Sequence, residues 1–349
     1  MRRTAVVICP GRGTYGPAEL GSLVPRFPDG ELLADFEAIR ISDGLCTLAE
    51  LDGADRFVGS QHTRSDNASA LIFAASYGDF LSIDRTRIDV VAVTGNSMGW
   101  YTALACAGAL APVDAFRVAN TMGRLMQAAA IGGQVVYPWM DDNWGGGASR
   151  RAEILATVAR IDGQDGAVLK PSVELGGMLV LAGNNAGLRA FEAAVDPVGE
   201  RFPMRLANHA AFHTALQEPV AAQAREILHP SVVQPSLPLI DGRGAIWWPG
   251  ATDTEALWSY TLGAQVTETY DFTRAIRIAA QEFAPDLFIV TGPGTNLGGA
   301  VAQSLVLASW RGITDKARFK DVQDRSILLV SMGLDTQRRH VIREDSNVT

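Results

Sequence analysis

The chain has 349 residues, 47% of them hydrophobic, which is enough for one large domain or two modest ones around a sizeable core. A net charge of −8 argues against a general nucleic-acid binder, while local patches stay free to dock an acidic protein partner. No apolar run approaches the ~20 residues of a membrane span, so no membrane segment is expected. Cys9, Cys46 and Cys106 show no paired spacing, which fits a reducing cytoplasm and neither a disulfide framework nor a zinc site.

In chain order, the run Ala5 to Cys9 is too short for a signal-peptide core and ends in Pro10-Gly11, so it reads as a first buried strand. It leads into the glycine loop Gly11-Arg12-Gly13. Ala68 to Ile83 reads as a helix with Leu71, Ala74, Ala75 and Gly78 on one side. Val90 to Thr94 is a β-branched run that predicts a buried parallel strand. It runs into Gly95-Asn96-Ser97-Met98-Gly99 and then an apolar helix, Tyr101 to Leu110. Pro112 and Asp114 open a helix that continues to about Ala130. The pattern then changes: a strand at Gln134 to Trp139, a helix at Ser149 to Ile161, short strands near Ser172–Glu174 and Met178–Ala182, a helix at Asn184 to Val195 and a strand at Phe202 to Leu206. That β-α-β-β-α-β order is the split pattern of a ferredoxin-like unit. A further buried strand, Leu287 to Thr291, ends in Gly292-Pro293-Gly294, and the tail from Gln337 is polar and expected to be loose. The predicted architecture is α/β: a large α/β-hydrolase-like parallel-sheet domain (1–130 and 207–335), an inserted ferredoxin-like α+β subdomain (131–206) and a polar tail (336–349).

The strongest chemical signal is Gly95-x-Ser97-x-Gly99 between strand and helix. A serine there sits on a sharp turn that exposes its oxygen, and side chains in place of the glycines would collide with neighbouring backbone. The following helix aims its N-terminus at Ser97, which favours developing negative charge. A serine nucleophile needs a base, and histidine suits that near neutral pH. Of five histidines, His340 lies in the polar tail, His229 precedes Pro230 at a helix end and His62 sits in a polar loop. His209 and His213 remain, and the residues themselves do not choose between them. Acyl chemistry also needs donors for a tetrahedral oxyanion. The backbone N–H of Met98 follows the nucleophile, and that of Arg12 in the first glycine loop is a natural second. Gly11-Arg12-Gly13 is not a dinucleotide fingerprint, because the third glycine of that pattern is missing.

Four segments in order, spanning roughly Ala5 to Leu307, resemble the malonyl-CoA:acyl carrier protein transacylase family, which includes the acyltransferase domains of polyketide synthases. They are Cys9-Pro10-Gly11-Arg12-Gly13-Thr14, the elbow from Gly95 to Leu104, Phe212-His213-Thr214-Ala215-Leu216 and Ile289-Val290-Thr291-Gly292-Pro293-Gly294. The resemblance implies His213 as the base of Ser97 and a ping-pong transfer. An acyl-CoA acylates Ser97, and the phosphopantetheine thiol of an acyl carrier protein collects the acyl group. Coenzyme A thioester would be substrate, with no bound cofactor and no metal. In the family a backbone carbonyl orients the histidine. Here that segment is expected near Gln265 to Thr269, with the carbonyl unassigned.

The departures concern the cargo. Malonyl-specific members carry an arginine where Met122 stands here, and Arg124 lies about 200° around the helix from that position. Burying a free carboxylate against methionine would cost several kcal/mol, so a non-carboxylated acyl group is expected. Trp100, Asn96 and Phe212 are read as further acyl-specificity residues, with Trp100 adding apolar bulk at the acyl entrance. One alternative is malonyl transfer with the Arg12 side chain binding the carboxylate. A second is a hydrolase on the same fold that removes acyl groups from carrier proteins.

Overall fold

A computed structural model describes residues 2–343. Its strands are β1 (Arg3–Cys9), β2 (Ile88–Gly95), β3 (Gly133–Pro138), β4 (Leu169–Leu175), β5 (Met178–Gly183), β6 (Met204–Arg205), β7 (Leu239–Ile240), β8 (Ile246–Trp247), β9 (Tyr270–Asp271), β10 (Leu287–Val290) and β11 (Leu329–Ser331). The chain is mixed α/β, and its larger sheet runs β11-β10-β1-β2-β7-β8. All neighbours in it are parallel except the β7–β8 pair. β1, β2 and β10 are almost wholly buried, which is why they read as continuous apolar runs rather than alternating ones. β1 and β2 lie side by side with Cys9 opposite Gly95. The loops that leave their carboxyl ends, Gly11–Gly13 and Asn96–Met98, therefore meet where open α/β sheets place their ligands.

The helix Ser65–Ser82 covers this sheet together with Gly99–Cys106 and Pro112–Ala129. The sequence pattern predicts one apolar side for it. The structure instead buries every residue from Ser65 to Phe80. Its alanines and serines are small enough for other elements to pack around its whole circumference.

The second sheet runs β6-β3-β5-β4-β9. β3 to β6 are antiparallel neighbours in the order expected of a ferredoxin-like unit. β9 belongs to the returning chain and joins β4 in parallel. One continuous apolar core links this sheet to the helices Phe272–Phe283 and Leu297–Leu307 of the larger sheet's layer. The expected loose tail is corrected in part. A short helix, Asp335–Arg338, is followed by buried Val341 and Ile342, Ile342 bridges to Ile83, and Arg338 pairs with the buried Asp79. A few apolar residues within a polar stretch suffice to dock it. Residues 344–349 of that tail lie outside the described residues. Among the described residues no helix is long and apolar enough to cross a membrane.

Candidate active site

Ser97 occupies the turn between β2 and the helix Gly99–Cys106 with φ +57°. The glycines around it are required by close backbone approach. A Cβ at Gly95 would lie 2.3 Å from the Gly99 carbonyl carbon, and one at Gly99 would lie 2.2 Å from the Cys9 oxygen. The loop after β1 packs on the turn. Asn96 donates its N–H to Cys9 O at 2.9 Å, and a Cβ at Gly11 would meet Asn96 O at 2.5 Å.

Of the two histidines left open by the residues, His213 reaches the serine, with Nε2 2.7 Å from Ser97 Oγ. Its Nδ1 lies 2.7 Å from the backbone oxygen of Gln265. A carbonyl can only accept, so Nδ1 carries the proton and Nε2 is left to accept from the serine hydroxyl. Burial pushes the His213 pKa down to about 4, with the Gln265 hydrogen bond opposing that fall. The imidazole is thus neutral at pH 7 and able to take a proton.

Gln265 is the residue that sequence reasoning left unassigned. It lies in the single helical turn Ala264–Thr267, and its side chain serves the nucleophile while its backbone serves the base. Nε2 donates to Ser97 O at 3.0 Å, and Oε1 accepts from the Tyr101 hydroxyl at 3.1 Å. No spacing in the sequence announces this double role, because it arises from a segment 168 positions away. The backbone N–H groups of Met98 and Arg12 have no acceptor among the described residues.

A cavity opens beside Ser97 and His213. Met122, Phe212 and the Arg12 side chain line it, as do Ser65, Tyr101 and Met126. Met126 is four residues after Met122 and shares its helix face, a signal the sequence carried. Asn96 and Trp100 do not line it. Trp100 is a correction: its ring is fully buried, donates Nε1–H to Thr261 Oγ1 at 3.0 Å and packs edge-on against Tyr260 at 5.4 Å. Tyr101, one position on, faces the cavity instead, since adjacent helical residues point about 100° apart. Asn96 serves the turn through its backbone, accepting from Gly99 N at 2.9 Å, while its side-chain Oδ1 is buried without a partner. Arg124 pairs with Asp43 at 2.6 Å, away from the cavity.

The Arg12 guanidinium lies over Phe212, 5.7 Å from the ring centroid. It donates to Ser65 Oγ, to Thr63 O at 2.7 Å and to Asn208 O at 3.0 Å, while its Nε is buried without a partner. All three acceptors are neutral. The nearby Asp66 carboxylate is held by Arg64, with contacts of 3.1 and 2.7 Å. Burial lowers the Arg12 pKa to about 10, against the pull of Asp66, so it remains a cation at pH 7.

Two other histidines make their contacts elsewhere. His62, expected in a polar loop, is buried, with Nε2 2.9 Å from Leu51 O and Nδ1 3.0 Å from Val58. His209 sits behind the site, its Nδ1 2.7 Å from Gln134 Oε1. Burial, with Arg12 adding to it, drives the His209 pKa far down.

A serine on a strand–turn–helix elbow, a neutral histidine oriented by a carbonyl and two N–H groups without acceptors form the arrangement that serine–histidine acyl chemistry uses. The comparisons point the same way. No family model matches the chain. Over 318 residues it is 27% identical to the phenolphthiocerol synthesis polyketide synthase type I Pks15/1 of Mycobacterium marinum, covering 88% of this chain and 14% of that protein. Over 214 residues it is 26% identical to the malonyl CoA-acyl carrier protein transacylase of Salmonella typhimurium, covering 59% of this chain and 63% of that enzyme. A malonyl-transacylase solved in complex with its type II polyketide acyl-carrier protein superposes with a TM-score of 0.75 at 19% identity, over 97% of this chain and 99% of that one. The sequence relatives and structural neighbours are thus malonyl-CoA:acyl carrier protein transacylases and polyketide synthases, and the chain has the fold of those transacylases.

Proposed function

We propose that this chain moves an acyl group from a coenzyme A thioester to the thiol of an acyl carrier protein through an ester on Ser97. The observation that carries the reading is the relay Ser97 Oγ–His213–Gln265 O, with both hydrogen bonds at 2.7 Å. His213 Nε2 takes the hydroxyl proton as Oγ adds to the thioester carbonyl. The resulting oxyanion lies against the N–H groups of Met98 and Arg12. Its collapse breaks the C–S bond, and the thiolate leaves with the proton from His213. The carrier thiol then gives its proton to His213 and attacks the ester, and Ser97 regains its hydrogen. Ser97, His213 and the two thiols account for every proton and electron pair, so coenzyme A enters as substrate rather than as a resident cofactor. A carrier protein as partner is supported by the neighbour solved with its acyl-carrier protein. Three free thiols, one of them exposed, suit a reducing cytoplasm.

At the acyl end, Met122, Met126 and Phe212 form an apolar wall that suits a neutral acyl chain. A second reading has a specific observation behind it. Arg12 brings an unneutralised guanidinium with an unpartnered Nε to the same cavity, and a carboxylated acyl group would supply its counter-ion. Intact mass of the protein after exposure to equal acetyl-, butyryl- and malonyl-CoA separates the two. A neutral adduct on Ser97 is expected, with Met122→Arg raising malonyl relative to acetyl loading. A malonyl adduct lost in Arg12→Gln would establish the second reading instead. No adduct with any thioester would overturn acyl transfer, and release of free acid at one rate with and without carrier protein would make the enzyme a hydrolase.

A further inference from the structure

The base stands on an unusual piece of backbone. His213 has φ +56°, a left-handed conformation that non-glycine residues adopt only when their surroundings hold them there. The residue before it supplies one of those holds. Phe212 O accepts from the hydroxyl of Ser172 at 2.8 Å, at a buried contact between β4 and the His213 loop. Ser172 is fully buried, and its oxygen also accepts from Gln134 Nε2 at 2.6 Å. Gln134 Oε1 in turn lies 2.7 Å from His209 Nδ1. The end of this chain fixes its polarity. Phe212 O can only accept, so Ser172 donates to it and accepts from Gln134, and Gln134 Oε1 accepts the His209 proton.

Ser172 reaches Phe212 because β4 is irregular there. The register with β5 passes from Pro171 opposite Leu181 to Val173 opposite Val180, leaving Ser172 without a partner. Ser172 and Val173, neighbours in sequence, are both buried. Such a bulge re-aims a side chain. The same bulge grips the other support of the base. Thr269 Oγ1 donates to Pro171 O at 2.8 Å, two residues after the turn that carries Gln265, and Tyr270 pairs with Val173.

We propose that Ser172 is a positioning residue for His213: the bulge of the inserted sheet sets the Phe212–His213 peptide plane, and through it the direction of the imidazole. The inference rests on the reading of Ser97 and His213 as nucleophile and base. Its test uses an alkyl fluorophosphonate on the full chain, a probe that needs no knowledge of the acyl group. Ser97 Oγ forms the P–O bond, the P–F bond breaks, fluoride leaves and His213 takes the serine proton.

Ser172→Ala is expected to lower the maximal labelling rate about tenfold, the scale of a small misplacement of a catalytic group. The probe concentration at half-maximal rate should not change, and Ser172→Thr should restore most of the rate. Gln134→Met, which removes the donor behind Ser172 but leaves its hydroxyl, should lower the rate about threefold. That variant decides the matter if Ser172→Ala loses its folded near-ultraviolet dichroism. A labelled wild type with Ser172→Ala within twofold of it, or Ser172→Thr as slow as Ser172→Ala, overturns the positioning role alone. If Ser97 of the wild type takes no label, the nucleophile–base reading falls as well.

Discussion

Ser97 and His213 face each other at 2.7 Å on turns of nearly equal φ, +57° and +56°, yet the two turns are held by different means. The Ser97 turn depends on glycines of its own, packed against the backbone of β1. Gly95 and Gly99 let the backbone of β1, β2 and the next helix close to distances no side chain would permit. The His213 turn contains no glycine and is enforced from afar. The backbone carbonyl of Gln265 holds its ring, Ser172 holds its preceding carbonyl, and Ile131 O accepts from Ala211 N at 2.7 Å. A serine whose turn needs its own glycines is thereby met by a histidine whose turn needs none and is held by contacts from other elements.

The comparison breaks most severely at the glycine-dependent turn. Gly99→Ala puts a Cβ 2.2 Å from the Cys9 oxygen, which backbone cannot relieve by a rotamer change. It should cost about 3 kcal/mol or more of stability and at least about a hundredfold in Ser97 acylation, read by urea unfolding and adduct mass. Normal labelling in that variant would mean the turn does not depend on Gly99.

Titration sharpens the contrast, because only the distant side contains a proton-binding group. The His213 pKa falls from 6.5 in the open chain to about 4 in the fold, so between those values the unfolded chain binds more protons. Stability should therefore fall by about 3 kcal/mol as the pH drops from 6.5 to 4, and His209 moves in the same direction. Urea midpoints at pH 7 and pH 4.5 should differ less in His213→Gln than in the wild type. An equal difference in both would count against a buried neutral base. The smallest effect is expected at the residue that touches both sides. Gln265→Ala keeps the carbonyl that orients His213 but loses the donor to Ser97 O and the acceptor of Tyr101, which should slow acylation about tenfold at unchanged acyl-CoA KM.

The same division explains what was legible in the sequence. The elbow, the first glycine loop and the split order of the inserted unit could be read because each is written in consecutive residues. The residues alone left His209 and His213 open, since the distinction rests on which one meets a serine 116 positions away; the four-segment resemblance chose. Trp100 was misplaced because nearness in sequence to Ser97 says nothing about which side of a helix a ring takes. Gln265 was narrowed by the resemblance only to a segment, and Ser172 stayed out of sight, for another reason. Each acts through the backbone of a distant residue, and a carbonyl leaves no mark in the amino-acid pattern. The docked Val341 and Ile342 were hidden by the polar residues around them.

The irregular step in β4 also bears on protein engineering. Residues 131–206 look like a cassette that could be exchanged between relatives to change specificity. They are not one, because the sheet is completed by Tyr270–Asp271 of the host chain, and Ser172 within it reaches back to the peptide of His213. A chimera joined at those boundaries would need to keep the register slip at Ser172 and the bond from Thr269 to Pro171 O, or it would inherit a sound fold with an idle serine.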